Sequence, residues 1–331
     1  MMDGEKANDG ERRWVEDVDI VSAPVMDLSR LNLPPPERDL LVQDIGKACK
    51  QFGLFQAINH GICPSTIENS LCSASAFFDL PTEEKIVFAS NDVQKPVRYE
   101  ARLSDGIDGV DVYRLLLKHY AHPLELWMKL WPSKPSDYRE KMGKYAEEVR
   151  TLALKLIRII MESLGLDPSY MQDRFEDGTQ VLAVNRYPES PRPGLILGLP
   201  PHSDYGCITV LLQGCRGLQV LDPNDHQWKW VQTLPGSLAV HVGDHLEVLT
   251  NGRYKSVPHR VILSPERERI SIASFHSFAM DDKIEVVEHL VDEQNPRAYI
   301  ASSVREFLDF TSRNGISSTG SYIDSLKIPN K

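Results

Sequence analysis

The second half of the chain is built from many short segments of strand-forming residues. After Gly178, runs rich in Val, Ile, Leu and Trp follow one another, with Gly, Pro and Asn between them. Many short strands separated by turn residues are typical of a sandwich or closed barrel, and a double-sheet jelly roll is one such arrangement. The predicted strands span residues 181–187, 208–212, 218–221, 228–231, 237–242, 256–263 and 270–275.

Helical patterns accompany this β-rich region. The longest covers residues 138–164, and its apolar residues recur at helical spacing on one side: Tyr145, Val149, Leu152, Leu156 and Ile159. Shorter helices are predicted over residues 36–52, 65–78 and 303–310, and a strand over 54–58. Residues 91–109 show no clear period, so they are predicted to form a loop, and whether it is a mobile lid stays open. The predicted fold class is mainly β with flanking helices around a jelly-roll core, a double-stranded β-helix.

The chain divides into five predicted regions. A flexible lead-in is followed by an N-terminal region of helices and first strands, a long helical segment, the jelly-roll domain, and a C-terminal helical segment with a tail. Their bounds are residues 1–22, 23–130, 131–177, 178–278 and 279–331.

Charge and cysteine usage exclude several classes of protein. The formal net charge of -10 argues against nucleic acid and anionic membranes as partners. The five cysteines form no Cys-x-x-Cys pair and are odd in number, as in a reduced intracellular chain. The polar first residues do not resemble a signal peptide, and no apolar run approaches the roughly 20 residues that span a bilayer. We therefore expect a cytoplasmic protein without membrane or nucleic-acid partners.

Two histidines and one aspartate form a candidate metal site. His202 and Asp204 are two residues apart, and alternate residues of a strand point to the same face. His259 follows after 54 intervening residues, at the start of another predicted strand. A His-x-Asp pair alone is common, and a single histidine is more often a hydrogen-bonded structural residue. Together, however, two histidines and one carboxylate are the ligand set of non-haem iron(II) oxygenases.

A third element strengthens this interpretation. Arg269 follows His259 by ten residues, and Arg269 and Ser271 alternate along one strand, so both face the same side. Burying a guanidinium is costly unless it has a partner, and its planar fork suits a carboxylate. A dicarboxylate cosubstrate would supply that partner.

Several segments resemble the plant 2-oxoglutarate-dependent dioxygenases, the superfamily that includes anthocyanidin synthase, flavanone 3-hydroxylase and flavonol synthase. They are Gly53–Gly61, which reads GLFQAINHG, together with PPHSD at 200–204, GDHLEVLTNG at 243–252 and YKSVPHR at 254–260. The resemblance extends from about residue 23 to residue 310. It implies a jelly roll with an iron site at His202, Asp204 and His259, and 2-oxoglutarate, dioxygen and a supporting role for ascorbate as further requirements.

The same resemblance implies roles for residues around the metal. Arg269 and Ser271 match the pair that holds the distal carboxylate of 2-oxoglutarate. Asn185 and Tyr187 match an Asn-x-Tyr motif whose tyrosine contacts this cosubstrate. Phe275 matches a position that stacks on aromatic substrates, and Tyr113 lies in the segment 111–122 that lines the substrate pocket in relatives. His241 and His245 receive no metal role.

The implied reaction is hydroxylation or desaturation of a small organic molecule, with release of succinate and CO₂. A flavonoid or other phenylpropanoid is the leading substrate and a plant hormone the second. The alternatives are an ascorbate-dependent enzyme resembling aminocyclopropane-carboxylate oxidase and a non-catalytic jelly-roll binding protein. The expected state is a monomer, and the sequence leaves substrate identity, reaction outcome and regiochemistry open.

Overall fold

The computed structural model describes residues 20–21, 23–104, 111–190, 196–314 and 322–329. Within these residues the chain forms one large mixed sheet with helices packed against it. The strands are β1 Ile20–Val21, β2 Val25–Asp27, β3 Leu54–Ile58, β4 Val97–Ser104, β5 Asp111–His122, β6 Gln180–Tyr187, β7 Ile196–His202, β8 Ile208–Gln213, β9 Leu218–Leu221, β10 Trp228–Val231, β11 Leu238–Val242, β12 His259–Ile262 and β13 Arg269–His276.

The described helices lie mostly outside the β-rich region. The α-helices are α1 Glu37–Gln51, α2 Pro64–Phe78, α3 Thr82–Ile86, α4 Leu124–Trp127, α5 Tyr138–Ser163, α6 Gln172–Glu176, α7 Asp244–Leu249, α8 Val304–Asn314 and α9 Tyr322–Ser325. Short 3-10 turns occur at Leu28–Asn32, Met128–Leu130 and Glu288–Leu290.

The strand order shows how the sheet encloses a site. Neighbouring strands run in the order β1-β10-β9-β12-β7-β5-β6-β13-β8-β11-β3-β2, and β4 pairs with β5 as a branch. The sheet curls, so side chains from β5, β6, β7, β8, β12 and β13 line a common cavity. The predicted jelly-roll core with flanking helices is therefore confirmed.

The main core lies between the helices and one face of the sheet. Helix α5 buries the predicted apolar side, because Tyr145, Val149 and Leu156 are fully enclosed in this core. Strand β5 contributes Leu117 to the same core, while the alternate residue Leu116 lines the cavity. The helical layer thus supports the back of the strands whose front faces form the site.

The predicted loop over residues 91–109 is wrong where it covers Val97–Ser104. These residues form β4, paired with β5 in antiparallel register; residues 105–109 lie outside the described part. Val97 and Tyr99 are buried in the main core, whereas Arg98 points into the cavity. Residues 97–104, VRYEARLS, alternate apolar and polar residues as a half-buried strand does, and the loop prediction overlooked this short pattern inside a polar stretch.

Two further predictions need correction. The lead-in 1–22 ends in a strand, since Ile20–Val21 pairs in parallel with β10; residues 1–19 and 22 lie outside the described residues. The strand predicted over 256–263 is shorter, His259–Ile262. The residues just before His259 do not form a strand, and the Ser256 backbone N–H is hydrogen-bonded to Glu247 of helix α7.

Candidate metal centre and active-site cavity

The three candidate ligands meet at one end of the cavity. His202 ends β7 and His259 begins β12, and the two residues are direct partners across the strand pair. Asp204 Oδ1 lies 3.8 Å from His202 Nε2 and 3.6 Å from His259 Nε2. All three ligand atoms lie within 4.8 Å of one another, so a single ion could contact them together. Asp204 stands just beyond the end of β7, so the convergence comes from the turn after the strand and not from alternation within it.

Both imidazoles are oriented for metal binding. The Nδ1 of His202 lies 2.9 Å from the carbonyl oxygen of Pro200, and the Nδ1 of His259 lies 3.2 Å from that of Val257. A proton on each Nδ1 donated to the carbonyl leaves the Nε2 lone pair free to face the centre. Burial, together with the neighbouring His259, lowers the pKa of His202 to about 3, so the ring is neutral at physiological pH.

Asp204 is the anionic member of the site. Burial by itself would raise its pKa, but His259, His241 and His202 together hold the pKa below its ordinary value. His241 Nδ1 lies 3.7 Å from the second carboxylate oxygen, Oδ2. His241 therefore flanks the site without joining the cluster of three ligands.

Helix α7 holds the two ligand-bearing segments in place. The buried Asp244 accepts a hydrogen bond from Ser203 Oγ at 3.1 Å, and its backbone N–H donates to the Asp204 carbonyl at 2.7 Å. One turn later, Glu247 accepts from the Ser256 backbone N–H at 2.7 Å, just before the strand that carries His259. The sequence analysis missed these supporting carboxylates, although both lie in the 243–252 segment that carried the resemblance.

Arg269 lies at the other side of the same cavity and is 3% exposed. Its Nε donates to the Cys215 carbonyl at 3.1 Å, and its Nη2 donates to Gln213 Oε1 at 3.0 Å. No carboxylate among the described residues lies within ion-pair distance of it. Burial lowers the pKa of Arg269, so the cation is held at a cost that an anionic ligand would offset.

The remaining predicted cosubstrate residues surround Arg269. Ser271 Oγ lies 3.4 Å from Arg269 Nη1, and the Tyr187 ring lies 5.1 Å from the guanidinium carbon. Asn185 pairs with Ser271 across β6 and β13, and its buried Oδ1 has no hydrogen-bond partner. All four side chains line the cavity. Their contacts with 2-oxoglutarate stay predictions.

The cavity has room for an organic molecule besides the cosubstrate. Its volume is about 190 Å³, well above the roughly 10–15 Å³ that admits one water. Phe275 lines it and stacks on Tyr205, with ring centroids 5.6 Å apart. Tyr113 packs against a neighbouring cluster that includes Tyr187, and the β5 residues that line the cavity are Arg114, Leu116, Lys118 and Tyr120.

A jelly roll with two histidines and one carboxylate at one end of a cavity defines a mononuclear non-haem iron oxygenase. Two family models match the chain: "2OG-Fe(II) oxygenase superfamily" over residues 178–278, and "non-haem dioxygenase in morphine synthesis N-terminal" over residues 23–134. The chain belongs to the plant 2-oxoglutarate- and Fe(II)-dependent dioxygenase superfamily.

Individual relatives agree with this assignment. Flavanone 3-dioxygenase 3 of Oryza sativa subsp. japonica is 47% identical, over 92% of this chain and 93% of that protein. The 2-oxoglutarate-dependent dioxygenase 21, described as chloroplastic, from the same plant is 46% identical over 92% and 91%. The crystal structure of JOX2 in complex with 2OG, Fe and JA superposes with a TM-score of 0.83 at 31% identity, covering 94% of this chain and 91% of that one.

The protein is therefore a 2-oxoglutarate-dependent non-haem iron dioxygenase, and its residues fit both groups. Two imidazoles and an ionised carboxylate suit Fe(II), and the buried Arg269, which has no carboxylate partner among the described residues, suits the far end of a dicarboxylate. When bound, the iron would activate dioxygen, which is the oxidant, and 2-oxoglutarate would supply two electrons as it is oxidised to succinate and CO₂. Among the described residues, no helix is long and apolar enough to cross a membrane.

Proposed function

We propose that this dioxygenase hydroxylates or desaturates a small aromatic molecule, a plant specialised metabolite of the flavonoid or phenylpropanoid type or an aromatic hormone. The main support for this proposal is a stack of three aromatic rings beside the iron ligands. Tyr205 follows Asp204 directly and lies between Phe275 and Phe307, with interplanar angles of 17° and 13°. Flat aromatic substrates pack well against such a wall, at about 0.5–1.5 kcal/mol beyond simple burial.

Residues in different parts of the cavity have different roles in the proposed reaction. His202, Asp204 and His259 hold the metal, and Arg269 with Ser271 orients the cosubstrate towards it. Phe275 and Phe307 exclude water on the substrate side, together with the apolar Leu116 and Val181. The cofactors carry the oxidation, while the protein fixes which C–H bond of the substrate lies nearest to the metal.

Two alternatives make different predictions. An ascorbate-dependent enzyme resembling aminocyclopropane-carboxylate oxidase would turn over without 2-oxoglutarate. A non-catalytic binding protein would bind the small molecule without forming succinate. The three clustered ligands favour an enzyme over a binding protein. The similar arginine and serine of the ascorbate-dependent enzyme leave that alternative to the relatives, which favour the 2-oxoglutarate-dependent reaction. The proposed enzyme acts as a cytoplasmic monomer, with ascorbate supporting activity by keeping the iron reduced.

A succinate-release screen tests the proposal. The Fe(II)-loaded enzyme is incubated with 2-oxoglutarate and a panel of flavanones, other phenylpropanoids, phenolic acids and hormones, and succinate is measured against a substrate-free control. We expect aromatic compounds to stimulate succinate formation, with an oxidised product of one added oxygen or two fewer hydrogens by mass spectrometry. Stimulation by non-aromatic compounds alone would contradict the proposed substrate class.

A further inference from the structure

The β4–β5 hairpin presents cationic side chains on the face that turns towards the cavity. Antiparallel register places Arg98 beside Lys118 and Arg102 beside Arg114. Arg98, Arg114 and Lys118 line the cavity. Glu100, between the two arginines of β4, is the acidic member of this face among its described side chains. None of these residues belongs to the iron or cosubstrate groups described above.

The charges on this face do not balance. Burial opposes ionisation of Glu100, but Arg114, Arg102 and Arg98 hold its pKa below the ordinary value, so it is a carboxylate. This single anion is ion-paired with Arg98, whose Nη1 lies 3.0 Å away, and with Arg102. Lys118 donates to the Val93 carbonyl at 2.6 Å. Among the described side chains, Glu100 is therefore the one carboxylate ion-paired on this face, against Arg98, Arg102 and Arg114. Asp92 attracts Arg98 and Lys118 without an ion pair, and burial lowers the pKa of Lys118 to about 7.

Arg114 lies close enough to Glu100 to help keep it ionised, but makes no direct contact with it. It is 7% exposed and lines the cavity, yet it makes no hydrogen bond or ion pair with any described residue. Arg98 is 5% exposed, and its buried Nε also has no hydrogen-bond partner. Burying more cations than anions is unfavourable, so Arg98 and Arg114, which share Glu100 in a ligand cavity, indicate that a further anion comes with the ligand.

This cationic face is separate from the site at Arg269. Strand β6 lies between β5 and β13, with Leu116 opposite Asn185 and Asn185 opposite Ser271. Two strand spacings put the β5 backbone roughly 10 Å from that of β13. Strand β4, which carries Arg98, lies one spacing further out. One dicarboxylate held at Arg269 and the iron would leave this far side of the cavity unfilled.

We propose that Arg98 and Arg114 bind a carboxylate of the organic substrate, so that the substrate is an aromatic acid and not a neutral flavonoid. This inference rests on the proposed function, because it assigns the aromatic wall to the same molecule. The acid group lies at the hairpin, and the ring lies along Leu116, Val181 and Phe275 towards the iron. A guanidinium fork matches a carboxylate in two-point geometry, which fixes the orientation of the ring.

The test compares acids with their neutral esters. Binding to the enzyme loaded with Fe(II) and 2-oxoglutarate is measured by calorimetry without oxygen, using benzoate, 4-hydroxycinnamate and indole-3-acetate, each with its methyl ester, and the flavanone naringenin. At least one acid should bind roughly ten- to hundredfold more tightly than its ester. Equal affinity for acid and ester, or binding of naringenin alone, overturns the inference.

Variants locate the effect on the hairpin. Arg114→Gln should weaken binding of the preferred acid roughly ten- to hundredfold, while the KM for 2-oxoglutarate stays within about twofold. Arg102→Gln is the matched control, because Arg102 lies opposite Arg114 on the same face and also attracts Glu100, but is absent from the cavity lining. A rise in the KM for 2-oxoglutarate as large as the loss of acid affinity would assign Arg114 to the cosubstrate and overturn the proposal.

Stability provides a second, independent readout. Since Arg114 makes no direct contact with a described residue, and its attraction to Glu100 is opposed by its repulsion of Arg98, Arg114→Gln should leave the melting temperature of the ligand-free protein nearly unchanged or raise it. A clear drop would identify Arg114 as a structural residue and contradict the proposal. If Arg98→Gln unfolds the protein, Arg98→Lys replaces it, because lysine keeps the positive charge beside Glu100. Arg98→Lys should still weaken acid binding, since lysine lacks the planar fork.

The outcomes separate this inference from the proposed function. Tight acid binding without succinate release in air would support the carboxylate site and refute the oxidation of these compounds. Succinate release with neutral aromatic compounds, unaffected by Arg114→Gln, would support the oxidation and refute the carboxylate site. Failure of every acid to bind refutes the site directly.

Discussion

The two sides of the cavity differ in how their charges are balanced. On one side, His202, Asp204 and His259 form a charge-complementary metal site, and Arg269 faces the place where a dicarboxylate fits. On the other side, the β4–β5 hairpin holds Arg98 and Arg114 near a single carboxylate. The first side carries the chemistry shared by the superfamily. The second side carries more positive than negative charge. An unbalanced charge of this kind favours anionic substrates over neutral ones.

Removal of a metal ligand should have the largest effect, because both sides depend on the iron. We expect Asp204→Ala to lose bound iron and to reduce succinate release below detection, with the fold retained. Iron content after desalting and the melting temperature of the metal-free protein check this. The control Asp281→Ala removes an exposed carboxylate paired with Arg305 and should keep both iron and activity. Normal turnover by folded Asp204→Ala protein would remove this residue from the site.

A change at Arg269 should affect the cosubstrate and spare the metal. Arg269→Lys keeps the charge but loses the two-point fork, which corresponds to about 1.5–3 kcal/mol, or roughly ten- to hundredfold in the KM for 2-oxoglutarate. Iron content should not change. Arg216→Lys, an exposed arginine over the Trp230 ring, is the control. An unchanged KM for 2-oxoglutarate would show that Arg269 does not hold the cosubstrate.

The support of the metal site by α7 should have a smaller effect. Ser203→Ala removes the donor to Asp244, and loss of such an outer hydrogen bond typically lowers metal affinity about tenfold or more. Titration with Fe(II) measures this effect, and thermal unfolding measures the accompanying loss of stability. Ser70→Ala, which removes a buried hydroxyl in α2 that donates to the Ile67 carbonyl, should lower stability alone. Equal iron affinity in both variants would make Ser203 an ordinary packing residue.

Phe275 should give the smallest effect and confine it to the organic substrate. Phe275→Leu keeps most of the apolar volume and removes the ring, which corresponds to about 0.5–1.5 kcal/mol, or roughly two- to tenfold in substrate affinity. The KM for 2-oxoglutarate should not change. Phe77→Leu, in the main core, is the control that lowers the melting temperature without changing substrate affinity. A large loss of stability in Phe275→Leu with unchanged substrate affinity would assign Phe275 to the core.

The sequence by itself determined the fold class and the candidate metal and cosubstrate residues of one side. The ligands stand next to strands with ordinary apolar patterns: His202 ends β7, His259 begins β12, and Arg269 begins β13. Short-range alternation and the quoted motifs were enough to place Arg269 and Ser271 on one face. Asp204 was identified correctly as a member of the cluster, although the turn after β7 brings it there.

Only the tertiary structure decided the rest of the cavity. Asp244 contacts Ser203 across 41 positions of sequence, so no local pattern linked them. The inner face of β4 is charged and its outer face apolar, and the sequence alone gave no reason to expect arginines to point inwards. Which face of a strand becomes interior depends on what packs behind it. Here the helices cover the apolar face of the hairpin, and that packing turns Arg98 and Arg114 towards the cavity.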